Sequence, residues 1–122
     1  DWQKRGAQNA PGKNFYHSGS MGPWMVTADV IPDPSALHIT TRLNDTVMQD
    51  GGTDKMVYNI PFLISYFSQM TWLEPGDIIA TGSPTGTGIS HDPPIWMKAG
   101  DRLELKISGI GTLQNTIENQ SS

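Results

Sequence analysis

Leu37, Ile39, Thr41 and Leu43 alternate with His38, Thr40 and Arg42, the two-residue period of a strand with one face covered. Asn44-Asp45 follows, a pair that tolerates positive φ and reads as a two-residue hairpin turn. Val47-Met48-Gln49 is the returning strand, closed by Asp50-Gly51-Gly52. Later in the chain Leu103, Leu105 and Ile107 alternate with Arg102, Glu104 and Lys106, and Gly109-Ile110-Gly111 turns into residues 112–117, a second hairpin. Between the hairpins the period changes. Ile60, Leu63, Ile64, Phe67 and Met70 recur at helical spacing and predict one helix over residues 59–72. Pro61 stands in its first turn, where a missing N–H costs little, and Pro75-Gly76 is the expected stop. The apolar stripe of this helix is most simply a core-facing surface. Two short apolar runs, Trp24-Met25-Val26-Thr27 and Ile78-Ile79-Ala80, predict further buried strands. About six short strands and one helix, without βαβα alternation, predict an α+β domain with a mostly antiparallel or mixed sheet and one covering helix, not a Rossmann-type fold.

Length and charge narrow the picture. The 122 residues suit one domain over residues 1–122, with no internal repeat or composition shift. Charged residues make up 16%, below the roughly 25% usual for a soluble domain. Either the chain is compact and rich in Gly and Pro, or a further part of the protein covers its apolar surface. A net charge of −4 without a Lys/Arg cluster argues against nucleic acid as a partner. Cysteine is absent, which excludes disulfides and thiolate metal sites. No apolar run approaches the ~18 residues that span a membrane, and a cytoplasmic location is expected. Asp1-Trp2-Gln3-Lys4-Arg5 is neither a signal peptide nor a translation start, so a cut, processed or partial chain is expected.

The candidate chemistry centres on residues 73–88. A Pro-Gly turn leads through the apolar run into a loop with Gly82, Gly86 and Gly88 and with hydroxyls at Thr81, Ser83, Thr85 and Thr87. Such a loop can present N–H groups and small donors to an anion, or it can be a surface loop that turns sharply. Lys13, between Gly12 and Asn14-Phe15, is either a solvated surface cation or a cation beside an apolar wall that holds a substrate oxygen. His17, His38 and His91 are widely separated, no paired-carboxylate or His-x-x-x-His spacing is present, and no Gly-x-Ser-x-Gly elbow surrounds Ser83. The residues alone leave a possible anion-holding loop and a possible cation, without a complete catalytic set.

Taken together, several stretches resemble one family. Asp1-Trp2-Gln3, Gly12-Lys13-Asn14-Phe15, Gly22-Pro23-Trp24, Gln49-Asp50-Gly51, the helix from Ile60, Pro75-Gly76-Asp77 onward to Gly88, Pro93-Pro94, Gly100-Asp101 and Gly109-Ile110-Gly111 occur in this order. They resemble the C-terminal part of the catalytic domain of the fumarylacetoacetate hydrolase family, in particular its acylpyruvate hydrolase and 2-hydroxyhepta-2,4-diene-1,7-dioate isomerase-like members. The resemblance covers essentially the whole chain, and the Pro-Gly-Asp-Ile-Ile-Ala-Thr-Gly-Ser-Pro segment is its most specific part.

The resemblance implies a β-sandwich roll and a Mg²⁺ or Mn²⁺ enzyme acting on small 2-oxo or 2,4-dioxo acids through a stabilised enolate. It implies that the metal ligands lie upstream of Asp1, so that this chain alone binds no metal and is inactive in isolation. It implies a homodimer and contact with an N-terminal part. By position, Lys13 matches the family lysine that approaches the substrate carbonyl, and Gln3 an orienting glutamine facing the pocket. Thr81 and Ser83, with Gly82 between them, match the Thr-Gly-Thr-Pro loop, whose second hydroxyl holds a substrate carboxylate. Ser83 replaces the usual Thr but keeps the hydroxyl. Hydrolytic C–C cleavage is the leading expectation. The alternatives are isomerisation or tautomerisation, decarboxylation of the 2-hydroxymuconate or oxaloacetate type, and a non-catalytic half-domain that pairs with another chain.

Overall fold

The alternating segment forms strand β1 (His38–Leu43), and the hairpin partner forms β2 (Thr46–Gly52), in the computed structural model, which describes residues 10–119. Asn44 takes a φ of 54° in the turn between them, as expected of a residue that tolerates the left-handed region. The second hairpin is β3 (Arg102–Ile107) and β4 (Gly111–Thr116). All pairings are antiparallel, and the strand order is β2-β1-β3-β4, so β1 and β3 join the two hairpins in the middle of one sheet. The expected mostly antiparallel or mixed sheet is a four-stranded antiparallel sheet among the described residues, with fewer strands than the six expected, and the fold class is α+β as expected.

One hydrogen-bonded knot fixes the centre. Asn44 Nδ2 donates to Asp101 Oδ1 at 3.1 Å, while the Arg102 N–H donates to Asn44 Oδ1 at 2.9 Å. The Lys98 N–H also donates to Asp101 Oδ2. Asp101 is only 6% exposed, and the Lys98 N–H, then the Asn44 amide, hold its carboxyl below the usual carboxylate range. The first hairpin turn is thus tied to the start of β3.

The register of β1 against β2 slips once. Thr41 faces Gln49 but Arg42 faces Val47, so Met48 is an extra residue, a β-bulge.

Helix α1 runs Ile60–Ser68. It begins where expected because Asn59 Oδ1 accepts from the Phe62 N–H at 2.9 Å, a local cap that sequence alone specifies. It ends earlier than the expected stop. Gln69 and Met70 close it with N–H groups donating to Tyr66 and Phe67 carbonyls. The stripe expected to face a core does not find one here: Ile60, Leu63 and Phe67 are half-buried, and Ile64 and Met70 are exposed. Among the described residues no hydrophobic side chain is fully buried. None of their helices is long and apolar enough to cross a membrane.

Neither predicted buried run is a strand. Residues 24–27 and 78–80 join no sheet among the described residues, and Met25 is 90% and Ile78 68% exposed. A short apolar run carries no period that specifies a pairing partner, so hydrophobicity alone overstates its order. Trp24 instead docks on the β3–β4 turn, its Nε1–H donating to the Ile110 carbonyl at 2.7 Å. A Cβ on Gly111 would lie 2.8 Å from the Trp24 ring, so the close fit requires glycine there.

Candidate functional site

The end of β2 and the loop of residues 81–85 enclose a cavity of about 570 Å³, within the range of small-molecule sites. Thr81, Gly82, Ser83 and Thr85 contribute hydroxyls and backbone to its lining, and Asp50, Lys55 and Tyr58 contribute from the chain that follows β1. The structure therefore brings three of the sequence candidates, Thr81, Gly82 and Ser83, into one lining. Lys13 ends the short 3₁₀ turn Ala10–Lys13, is exposed and does not line this cavity. Its carbonyl accepts from Ser18 Oγ at 3.3 Å. Gln3 lies outside the described residues.

The loop is placed by close backbone contact with the bulged strand. Gly86 has a φ of 98°, and a Cβ there would strike the Met48 carbonyl oxygen. A Cβ on Gly51 would lie 3.1 Å from Pro84 Cβ. Gln49 Nε2 donates to the Pro84 carbonyl at 2.5 Å. Glycine spacing thus serves close packing of loop on strand as much as it serves the turn itself.

Charge at the cavity comes mainly from Asp50 and Lys55. Asp50 Oδ1 lies 2.6 Å from His38 Nε2 across the β1–β2 ladder and also accepts from Thr40 Oγ1 at 3.2 Å. The His38 contact, then Thr40, holds the Asp50 carboxyl below its ordinary value. Lys55 Nζ pairs with its neighbour Asp54 at 3.2 Å. None of Asp50, Lys55 and Tyr58 carries a spacing that marks it in sequence as a cavity residue. Asp50 falls in a matching stretch without an assigned role. They meet the loop only because β2 returns beside it.

A metal needs clustered donors, and among the described residues no three His, Cys, Asp or Glu side chains gather closely enough to hold one. The described residues thus do not fit a divalent cation.

Sheet, helix and cavity define an α+β domain with a site of small-molecule size, its walls largely apolar (Ile39, Met56, Val57 and Leu63) with the hydroxyls of Thr81, Ser83 and Thr85 on one side. The chain belongs to the fumarylacetoacetate hydrolase family: the profile of the fumarylacetoacetate (FAA) hydrolase C-terminal region matches residues 1–118. A Burkholderia multivorans protein named as a hydrolase is 42% identical over 113 residues, which cover 91% of this chain and 40% of that protein. Maleylpyruvate hydrolase from Sphingobium sp. SYK-6, solved in complex with manganese(II) and pyruvate, is 38% identical with a TM-score of 0.70 over 78% of this chain and 33% of its own. The 2-hydroxyhepta-2,4-diene-1,7-dioate isomerase of Mycobacterium marinum is 40% identical with a TM-score of 0.66 over 78% of this chain and 34% of its own. The chain thus spans about two fifths of the length of the curated relatives it matches.

Proposed function

We propose that this chain supplies the carboxylate-binding part of an enzyme for 2-oxo and 2,4-dioxo acids of the acylpyruvate type, and that the reaction is hydrolytic C–C cleavage. The observation that carries this reading is the Thr81–Gly82–Ser83 wall of the cavity, in a family with a hydrolase solved around pyruvate. Pyruvate is the 2-oxo acid that cleavage of an acylpyruvate releases. Ser83 donates to the substrate carboxylate, with Thr81 and Gly82 shaping the same face. Water adds to the distal carbonyl, and the bond from that carbon to the adjacent methylene breaks. The electron pair passes to the enolate of the 2-oxo acid, and a proton then completes the methyl group. Lys13, assigned on its motif match, sets positive charge beside the developing enolate oxygen. Gln3, on the same grounds, orients the substrate.

A divalent metal supplies Lewis-acid stabilisation when bound. Mg²⁺ or Mn²⁺ in the whole protein would have to be held by carboxylates other than the described ones. The whole protein is further proposed to be a homodimer located in the cytoplasm, with the apolar face of this chain covered by another part of the same protein.

Isomerisation is the second reading, favoured by the 40% identity to the dioate isomerase. The two are separated by assaying the whole protein, with Mg²⁺ or Mn²⁺, on acylpyruvates of graded acyl length and on a conjugated hydroxydiene dioate. Pyruvate release from the former supports the hydrolase. Loss of the diene chromophore without release of a smaller acid supports the isomerase. Turnover of neither would overturn both.

A further inference from the structure

We infer that Gln49 is a positioning residue for Ser83, so that the bulged strand β2 sets the geometry of carboxylate binding. The inference rests on the reading of Ser83 given above. Among the described residues no backbone–backbone hydrogen bond outside helices and strands engages residues 81–86. Among the described residues two side-chain hydrogen bonds reach this segment: Gln49 to the Pro84 carbonyl at 2.5 Å, and His91 Nε2 to the Gly86 carbonyl at 3.4 Å. The short bond is made by a half-buried amide, one residue after Ser83.

The bulge explains how Gln49 reaches it. Inserting Met48 between the Thr41–Gln49 and Arg42–Val47 pairs bends the strand and alters its local twist. The Met48 carbonyl then meets Gly86, and Gln49 meets Pro84, so consecutive residues of the strand grip the loop at two points. Without the Gln49 donor, the Ser83 hydroxyl keeps its chemistry but loses its fixed place. A loop that must be ordered at each binding event weakens ground-state and transition-state binding alike, which appears in KM and not in kcat.

The test uses the whole protein and the substrate it turns over. Gln49→Met and Gln49→Glu both remove the donor while keeping the size of the side chain, and the second guards against a folding failure of the first. Each should raise KM about 3- to 10-fold, the scale of one hydrogen bond, with kcat within about 2-fold. Because Gln49 acts through Ser83, adding Gln49→Met to Ser83→Ala should raise KM no further than Ser83→Ala alone. Backbone order parameters from NMR relaxation supply a readout independent of substrate. Those of Gly82, Ser83, Thr85 and Gly86 should fall in Gln49→Met while those of β1 and β3 stay unchanged. Unchanged order parameters in this loop, or fully additive KM effects, would overturn the inference. A silent Ser83→Ala with lowered loop order parameters in Gln49→Met would remove the carboxylate role of Ser83 while leaving Gln49 as the tether of the loop.

Discussion

At the scale of single residues, charge and hydroxyl placement decide what the cavity can do. Ser83 is proposed to grip the carboxylate in ground and transition state equally, so Ser83→Ala should raise KM while kcat moves little. Lys13 is proposed to act on charge that develops only during reaction. Lys13→Met should therefore lower kcat on the order of 10²–10³-fold with a smaller change in KM. Steady-state kinetics of the two variants separate these roles, and near-wild-type kcat in Lys13→Met would leave that lysine as a surface cation. Asp50 gives a pH signature. Its carboxyl is held below the ordinary value by His38 and Thr40, so the stability it contributes is present above the unfolded value near 4 and is lost as pH falls through the lower folded one. The Tm difference between wild type and Asp50→Asn should be open at pH 7 and should close as pH falls below about 4. It should also be small, because both partners are more than half exposed. A difference that persists at low pH would assign the effect to packing.

At the scale of elements, the legible parts are those whose cause is local. The Asn59 cap and the Pro61 start are written within one turn, and Asn59→Ala should cost about 1 kcal/mol in denaturant unfolding of the whole protein. The hairpins were readable because β1 and β3 alternate and because Asn44 and Gly109 accept positive φ. What could not be read is non-local. The bulge at Met48 depends on the pairing of two strands, and the gathering of Asp50, Lys55 and Tyr58 beside Ser83 depends on where β2 comes back. The run at residues 78–80 misleads for the same reason: apolar side chains signal burial, but the surface that buries them is not in the local sequence. Thr81, Gly82 and Ser83 could be named from the motif match, whereas Gln49 falls in a matching stretch without an assigned role, and its bond to Pro84 is a tertiary contact that no local pattern specifies.

At the scale of the molecule, surface is the dominant fact. The chain exposes 10041 Å², against roughly 6,500 Å² for a compact monomer of its 13.3 kDa. Trp72 is 93% exposed just beyond α1, next to Met70, and no apolar side chain among the described residues is fully buried. An apolar surface of this extent calls for a partner surface. Residues 1–122 prepared alone should bind a hydrophobic dye and unfold without a sharp transition, while the whole protein sediments as a dimer. A monodisperse, cooperatively unfolding monomer of the isolated chain would count against a shared core.

The contact between the bulged strand and the loop of residues 81–86 has a second consequence, for colloidal behaviour. Among the described residues β2 is an outer strand of the sheet, and an outer strand with free backbone groups is a template on which another chain can pair. Pro84 and Gly86 lie against Gly51 and Met48 of that strand, so this loop also shields part of it. Gly86→Ala, which cannot keep this approach, should therefore make the protein scatter light on standing at concentrations where the wild type stays clear.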